Sequence, residues 1–477
     1  MNYQEIGFKC GIEVHNRLAT KHKLFCNCPA RFSNEKPSKV IKRKLRAVAG
    51  ELGQVDIAAM YEYLRDRTFY YQIFNDTVCL VEADSEPPHE LNREALEIAL
   101  QVAKLLKSEI PNEIHVMRKT VIDGSNTAGF QRTAIVGMNG ILKTSQGDVR
   151  ITNISLEEEA AGIVSQRGNE IIYRLDRLGI PLIEIGTATD IKSPEHAKEV
   201  AEKLGMIIRS TGKSQRGIGV TRQDVNVSIR GGARVEIKGL QELGMIPDII
   251  KNEIKRQQNL IKNGIKPKPE TRVAKQDGST IYTRPLPGGE RMYPETDIPP
   301  IAITKDFLRK IKIPETWEQK RIKFRKILPK EMVGQILKSE YLDLFEKFSK
   351  YGPIMVANTF TSVIKDLRRQ GYEIDLEEKD FEKLFKAVKN KKISKEAIPE
   401  ILEIICKEKI SMEQALEKRK GLTEKELRNI IKDIFKKHPD LVKEKRISAL
   451  MGEIMKITRG KIDGKTVMKT LKEELKI

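Results

Sequence analysis

Short segments of alternating apolar and polar residues dominate the first 300 positions, and this alternation predicts β-strands. The predicted strands cover residues 149–154, 171–175, 181–186, 225–229 and 235–238. Apolar residues at helical spacing predict two helices among them, one over residues 92–107 and one ending near Ser210. Ser193 followed by Pro194 suits a helix N-cap and first turn, so the second helix is predicted to begin there.

The pattern changes after Pro300, where the strand signals end and helical spacing remains. Residues 305–420 are predicted to form short helices, and residues 421–477 three more helices, divided by Pro439 and the segment 460–464. The predicted fold class is therefore α+β, with three domains. These are a mixed or antiparallel-sheet domain over residues 1–300, a helical domain over 301–420 and a helical tail over 421–477.

The chain of 477 residues carries 87 Lys and Arg against 67 Asp and Glu, a formal net charge of +20. Such an excess attracts a polyanionic partner, nucleic acid first and an acidic membrane surface second. A solvated surface rich in Lys and Glu is the alternative, because 32% charged residues fit it as well. No apolar run is long enough to span a bilayer, and the N-terminus lacks a signal-peptide core. A cytoplasmic protein without membrane contact is expected.

Five cysteines in so long a chain do not indicate a disulfide framework. Cys10, Cys26, Cys28 and Cys79 are enough thiols for a structural zinc ion, but the C-x-C pair is tighter than usual and no second close pair follows. Small buried thiols are therefore favoured over zinc. Cys406 is predicted to pack within the helical region.

Three segments present polar, mostly acidic side chains on one face of a strand. Apolar residues occupy the opposite face, so the polar sets are Glu13 with His15, Asp224 with Asn226 and Ser228, and Glu236 with Lys238. Carboxylates also lie in apolar surroundings within residues 156–159 and 181–185. A three-residue turn at 231–233 would pair Ser228 with Glu236 and Asn226 with Lys238, giving one polar face and one apolar face.

Carboxylates, one His and one Lys on a sheet face are the groups that Mg²⁺ and a transferring phosphate require. A solvated sheet face is the alternative for any single strand. Residues 211–214, Thr-Gly-Lys-Ser, lack the upstream glycine of a P-loop. The segment 123–129, with Ser125, Asn126 and Thr127, is the better candidate for a phosphate-binding loop, and a plain turn is its alternative.

Several motifs occur in an order that resembles one family. They are GFKCGIEVHNRL, VIDGSNTAGFQRT, SLEEEAAG, YRLDRLGIPLIEIGTATDI, GVTRQDVNVSI, RVEIKGLQEL, RMYPETDIPP and, near the end, MGEIMKITRGKIDGKTVMKTLKEEL. Together they resemble the GatB/GatE family of tRNA-dependent amidotransferase subunits, and the last resembles that family's YqeY-like tail. SNTAGFQRT and RQDVNVSI are similar to its archaeal GatE branch. The resemblance covers nearly the whole chain.

The resemblance implies a cradle-like catalytic domain that uses ATP and Mg²⁺ to phosphorylate the γ-carboxylate of Glu-tRNA(Gln). Ammonia then displaces phosphate to give Gln-tRNA(Gln). It implies metal ligands at Glu13, His15, Glu158, Glu184 and Glu236, with Glu157 as the alternative to Glu158. The strand pattern adds Asp224 and Lys238 to the catalytic set of Glu13, His15, Glu184 and Glu236. Nucleotide contacts are expected from Ser125, Asn126, Thr127 and Asn226.

The chain shows no Ser-His-Asp arrangement or G-x-S-x-G elbow, so ammonia is expected from a partner. The resemblance implies a GatD-like, asparaginase-type amidase subunit in a GatDE heterotetramer. Residues 421–477 carry 15 Lys and Arg against 9 Asp and Glu, which favours a tRNA clamp. The family's GatE members usually carry an inserted domain that RMYPETDIPPIAITKDFLRKI leaves no room for.

Two other functions remain open at this stage. An ATP-dependent carboxylate–amine ligase acting on a small molecule would need the same acidic sheet face. A non-catalytic tRNA-binding scaffold would need only the basic surface. Retained ATP turnover with failure to bind tRNA would favour the small-molecule ligase. Unchanged ATP hydrolysis on Glu-tRNA(Gln) after Glu236→Gln and His15→Ala would favour the scaffold.

Overall fold

A computed structural model describes residues 2–50, 53–217, 219–288, 291–418, 424–458, 462 and 464–475. Its contacts divide the chain into two compact units, Met1–Trp317 and Glu318–Ile477. The α+β prediction is confirmed, because sheets fill the first unit and helices the second. The predicted boundary at 420/421 and the helix break at Gly460 lie outside the described residues, so the division into three domains stays a prediction.

Most strands of the first unit belong to a ten-stranded sheet in the order β14-β13-β12-β11-β1-β10-β7-β6-β5-β15. The strands are β1 (Lys9–Arg17), β2 (Lys39–Arg43), β3 (Thr68–Ile73), β4 (Glu113–Ile114), β5 (Val116–Thr120), β6 (Phe130–Thr144), β7 (Gly147–Glu158), β8 (Gly162–Arg167), β9 (Glu170–Arg174), β10 (Pro181–Thr187), β11 (Thr221–Ser228), β12 (Val235–Leu240), β13 (Glu270–Ala274), β14 (Thr280–Pro285), β15 (Met292–Pro294) and β16 (Ile301–Ala302). The last pairs with β4, so strands do not end at Pro300 as predicted.

The two edge strands of this sheet, β14 and β15, are consecutive in the sequence and are joined by residues 286–291. A flat sheet of this width would separate its edges by about 43 Å. The connecting chain can span only about 25 Å. The sheet must therefore curve so that its edges approach each other across one face. We call residues 286–291 the strap.

Three helices, at residues 93–105, 194–210 and 246–262, cover the convex face of the ten-stranded sheet. The helices of the first unit are α1 (Ile57–Leu64), α2 (Arg93–Leu105), α3 (Pro194–Ser210), α4 (Ile246–Lys262) and α5 (Lys305–Lys310). Asn92 and Ser193 cap α2 and α3 by accepting backbone N–H bonds, and the cap at Ser193 was predicted. Ile12 and Val14 of β1 pack beneath α3 with almost no exposure, so the alternate residues of β1 must face the concave side.

A smaller sheet, in the order β2-β3-β9-β8, has an aromatic core that fixes the candidate phosphate loop. The Tyr71 hydroxyl donates to the carbonyl oxygen of Gly124 at 2.8 Å, and the Tyr173 hydroxyl donates to that of Asp123 at 3.0 Å. Gly124 has φ +92°, and a Cβ there would lie 2.2 Å from the Phe69 ring. Only glycine fits this turn.

The hairpin of β11 and β12 differs from the predicted register by two residues. Asn226 lies opposite Glu236, rather than opposite Lys238, and Val227 lies opposite Val235. A two-residue shift preserves the faces, so the polar side chains still share the concave side. The register is set from outside the hairpin, because Gln257 of α4 exchanges two hydrogen bonds of 3.1 Å with the backbone of Ala233.

The described part of the second unit is helical. Its helices are α6 (Trp317–Arg325), α7 (Lys330–Lys338), α8 (Leu342–Phe348), α9 (Pro353–Asn358), α10 (Ile364–Arg369), α11 (Glu378–Lys389), α12 (Ile398–Glu408), α13 (Met412–Lys418), α14 (Glu424–Lys437), α15 (Pro439–Lys443), α16 (Ile447–Thr458) and α17 (Gly464–Glu474). The tail thus has four described helices rather than three, because Pro439 begins the short α15 at a position that tolerates proline. Leu427, Ile431, Leu450 and Val467 form a buried core within the tail.

Candidate active site

The concave face of the ten-stranded sheet encloses a cavity of about 460 Å³. Four strands contribute its predicted residues: Glu13 and His15 from β1, Glu184 from β10, Asp224 from β11, and Glu236 and Lys238 from β12 all line it. Their neighbours are fixed by the ladder, in which Glu13 lies opposite Asp224 and His15 opposite Glu184. The structure therefore brings together all six residues predicted to be catalytic.

Glu13 is common to two groups that have the spacing of metal ligands. One oxygen of Glu13 lies within 4.8 Å of ligand atoms of His15 and Glu184, and the same limit holds for Glu13, Asp224 and Glu236. Hard oxygen donors of this kind suit Mg²⁺, which keeps several waters and takes few protein ligands. The residues present fit a divalent cation on either side of Glu13.

Burial and repulsion act most strongly on Glu13. Burial first, and then the charge of Glu184, raises the pKa of Glu13 to about 7. Asp224 and Glu236 are also buried, but Lys238 lies 2.8 Å and 2.9 Å from their oxygens and lowers the pKa of both. Glu13 is thus the carboxylate whose ionised form has most to gain from an added cation.

His15 has one ring nitrogen engaged and one without a partner in the described residues. Its Nε2 lies 3.0 Å from Oε2 of Glu184, whereas its Nδ1 is buried and makes no hydrogen bond. Burial opposes charging of the ring, but the hydrogen bond and charge of Glu184 raise the pKa of His15. A buried, unsatisfied nitrogen beside carboxylates supports a ligand at this position.

Binding of a divalent cation is expected to strengthen as the pH rises through about 7, because the cation requires ionised Glu13. Below this pH the affinity should fall by up to about tenfold per pH unit, as one proton is displaced per cation. Calorimetric titration with Mn²⁺ in buffers of different ionisation enthalpy measures that proton release. Glu13→Gln should remove the share of the proton release that comes from Glu13, and any release that remains is assigned to His15. An affinity unchanged between about pH 6 and pH 8 would contradict this assignment.

Further cations on the cavity wall were not predicted from the sequence. Nζ of Lys119 lies 2.6 Å from Glu157 and 3.8 Å from Glu184, and burial is outweighed by these carboxylates, which raise its pKa. Arg222 extends its guanidinium to Glu159, with two contacts of 3.0 Å and 3.1 Å. Lys119 belongs to the segment before the candidate phosphate loop, and no local pattern marks it as a cavity residue. Only long-range strand pairing brings it to Glu184.

The prediction of Glu158 as a metal ligand is corrected, because Glu158 lies on the face of β7 that points away from the cavity. Its carboxylate accepts a bond of 3.0 Å from the Arg132 backbone N–H and pairs with the Arg132 guanidinium. Glu157, the alternative residue, lines the cavity. Strand alternation contained this signal, since Leu156 belongs to the apolar core and Glu158 shares its face.

The predicted nucleotide contacts are placed differently from one another. Ser125 and Asn126 line the cavity, and Oδ1 of Asn126 is buried without a partner in the described residues. Thr127 does not reach it, because its hydroxyl donates to the carbonyl oxygen of Glu82 at 2.7 Å. Asn226 is not among the residues that line the cavity, but its amide donates to Glu13 at 3.2 Å. The prediction of a nucleotide contact at Thr127 therefore has no support from the placement of its hydroxyl.

A second cluster combines three of the four cysteines considered for zinc. Ligand atoms of Cys26, Cys28, Cys79 and Glu82 all lie within 4.8 Å of one another. Cys10 lies apart, fully buried in the main core, as a small packing thiol. Three sulfurs and one carboxylate oxygen are a donor set that zinc accepts. Glu82 also pairs with the buried Lys23 at 2.7 Å. The sequence favoured separate buried thiols, and the clustering of the three sulfurs keeps zinc as the alternative.

A curved sheet whose concave face gathers carboxylates, histidine and lysine around one cavity is the arrangement expected of a catalytic domain. Residues 8–309 match the GatB/GatE catalytic domain, and residues 343–475 match the GatB domain. The chain belongs to the GatB/GatE family.

Similar proteins support this assignment over their full length. The chain is 37% identical to a protein of Methanocaldococcus jannaschii and 38% identical to one of Archaeoglobus fulgidus, each named as the E subunit of a glutamyl-tRNA(Gln) amidotransferase. Both alignments cover 100% of this chain and 99% of the relative. The first spans 626 positions, whereas the chain has 477 residues. A long stretch of that relative therefore has no counterpart here, which agrees with the expected lack of an inserted domain.

Membrane-spanning helices were not expected from the sequence. Across the described ranges, no helix combines the length and the apolar composition needed to cross a bilayer.

Proposed function

We propose that the cavity binds ATP with Mg²⁺ and transfers the γ-phosphoryl group to the γ-carboxylate of glutamate on tRNA(Gln). The products of this step are ADP and an acyl phosphate. Ammonia then attacks the acyl carbon, the bond to the phosphate oxygen breaks, and the departing phosphate takes a proton from the attacking nitrogen. The result is Gln-tRNA(Gln) and inorganic phosphate.

The observation that carries this proposal is the pair of ligand groups sharing Glu13 beside a half-buried lysine, Lys238. A carboxylate is a poor acyl donor, so phosphorylation creates the leaving group, and catalysis then depends on alignment and charge stabilisation. Mg²⁺ would be held by Glu13 with His15 and Glu184, or with Asp224 and Glu236, and would neutralise phosphate charge.

The chain's own residues supply the remaining functions. Lys238 is held by two carboxylates at the cavity wall and raised in pKa, so it stays charged to face phosphoryl oxygens. Ser125 and Asn126 are presented by a loop fixed through Tyr71 and Tyr173, and contact the nucleotide. Concave walls limit the access of water to the acyl phosphate.

We also propose that ammonia comes from a separate amidase subunit, GatD-like and of the asparaginase type. The relatives' names describe a subunit of a larger enzyme, and the sequence has no amidase signature. The tail, with its excess of Lys and Arg, is proposed to contact the phosphates of tRNA. A tRNA substrate would place the reaction in the cytoplasm.

Incubation of the full chain with Glu-tRNA(Gln), ATP, Mg²⁺ and an ammonium salt tests the proposal. Gln-tRNA(Gln) and ADP are expected in equal amounts, with no product when asparagine or glutamine replaces the ammonium salt. ADP formation with free glutamate and without tRNA would instead indicate a small-molecule ligase. Binding of tRNA without any ADP formation would indicate a scaffold.

A further inference from the structure

The lysines and one arginine of the reaction cavity are already neutralised by carboxylates. Lys238 has Asp224 at 2.8 Å and Lys119 has Glu157 at 2.6 Å. Arg222 is bound by Glu159, which is fully buried. A polyphosphate entering this cavity would have to compete with these carboxylates for the same cations.

Two other arginines of the cavity wall have no carboxylate within hydrogen-bond distance among the described residues. Arg291 makes no hydrogen bond or ion pair with the described residues, and Arg284 has only Asp123 at 3.7 Å, near the limit of an ion pair. Both side chains are half-buried. A half-buried guanidinium without a carboxylate at contact distance is poised for an anion that is not part of the chain.

These two arginines come from opposite edges of the ten-stranded sheet. Arg284 lies in the edge strand β14, and Arg291 directly precedes the other edge strand, β15. Both line the same cavity, and the N–H of Gly288, a few residues after Arg284, donates to buried Asp56 at 2.7 Å. The other oxygen of Asp56 caps α1 through the Ala59 N–H at 2.9 Å. The pair is thus built into the fold.

We propose that Arg284 and Arg291 bind the phosphates of the nucleotide, opposite the carboxylates that surround Glu13. This assignment rests on the proposed function and identifies the phosphate-binding side of that site. A cation-bound triphosphate needs carboxylates for its cation and guanidinium groups for its oxygens, and both kinds of group line this cavity. A phosphodiester of tRNA needs the guanidinium groups alone, so the facing carboxylates favour the nucleotide.

Equilibrium binding of ATP, adenosine and Glu-tRNA(Gln) to the full chain with Mg²⁺ tests this proposal. Arg284→Ala and Arg291→Ala are each expected to weaken ATP binding by about ten- to a hundredfold, because each removes a charge-assisted contact. Adenosine and tRNA affinities should not change. Arg167→Ala, which removes an exposed positive charge from β8 outside the cavity, is the matched control and should leave all three affinities unchanged.

Arg284→Lys and Arg291→Lys keep the charge but lose the fork geometry, so they should weaken ATP binding less than alanine does. They also keep the proposal testable where an alanine variant does not fold. Unchanged ATP affinity in the alanine and lysine variants would overturn the proposal. Loss of tRNA affinity with unchanged ATP affinity would also overturn the proposal, because the two arginines would then bind a phosphodiester of tRNA. Absence of ATP binding by the unaltered chain would overturn the proposed function itself.

Discussion

Glu13→Gln is expected to lower the rate of ADP formation on Glu-tRNA(Gln) by about 10²- to 10³-fold. Glu13 is the carboxylate common to both ligand groups, so its loss weakens either cation position, whereas loss of Glu184 or Asp224 affects only one. The substitution keeps the shape of the side chain and removes a charge whose burial is costly. Folding should therefore be preserved or improved. Single-turnover measurement with saturating tRNA reports the chemical step.

Glu35→Gln is the matched control for this experiment, because Glu35 is exposed and lies outside the cavity. It should leave both the rate and the tRNA affinity unchanged. The affinity of Glu13→Gln for tRNA should also equal that of the unaltered chain, since the basic surface is intact. A Glu13→Gln rate within a few-fold of the control would remove Glu13 from the reaction.

Of the substitutions proposed here, Glu159→Gln is expected to lower the free energy of unfolding most, by about 3 to 5 kcal/mol. The carboxylate of Glu159 is fully buried and holds Arg222 through two bonds, with Arg177 at 3.8 Å and the charge of Arg17 nearby. An amide would leave these guanidinium groups uncompensated in a buried place. Urea unfolding of the variant and of Glu35→Gln measures the difference.

The same carboxylate predicts a dependence on pH with a definite sign. Burial would raise the pKa of Glu159, but the arginines, Arg222 first, lower it to about 2 in the folded chain. A lowered folded pKa stabilises the fold above the unfolded value of 4.5. That contribution is lost as the pH falls from about 4.5 through about 2. The stability difference between the two chains should shrink over this range, and a constant difference would contradict the assignment.

Features decided by neighbouring residues were predictable from the sequence. The caps at Asn92 and Ser193 and the polar faces of β1, β11 and β12 follow from local residue types. The hairpin register was not predictable, because Gln257 approaches Ala233 from a helix that follows the hairpin. The glycines at the turn suggested a shorter loop than the fold allows.

The carboxylates, His15 and Lys238 of the cavity were predicted from the sequence, whereas its arginines and Lys119 were not. Carboxylates that alternate with valine and isoleucine predict a strand with one polar face. Arg284 and Arg291 have no such pattern, because Arg284 lies on an edge strand and Arg291 at the end of a connection. Only the curvature of the whole sheet brings them to the cavity of Glu13 and Lys238. Curvature of a ten-stranded sheet is a property of the whole fold, which no local segment specifies.

The central claim is that the cavity makes an acyl phosphate on the γ-carboxylate of tRNA-bound glutamate. Transfer of ¹⁸O tests it most directly: tRNA(Gln) charged with glutamate labelled in both γ-carboxylate oxygens is converted with ATP, Mg²⁺ and ammonium salt. Mass analysis of the released phosphate is predicted to show one ¹⁸O atom for each glutamine formed, because the bridging oxygen leaves with phosphorus. Unlabelled phosphate accompanying labelled Gln-tRNA(Gln) would contradict the claim.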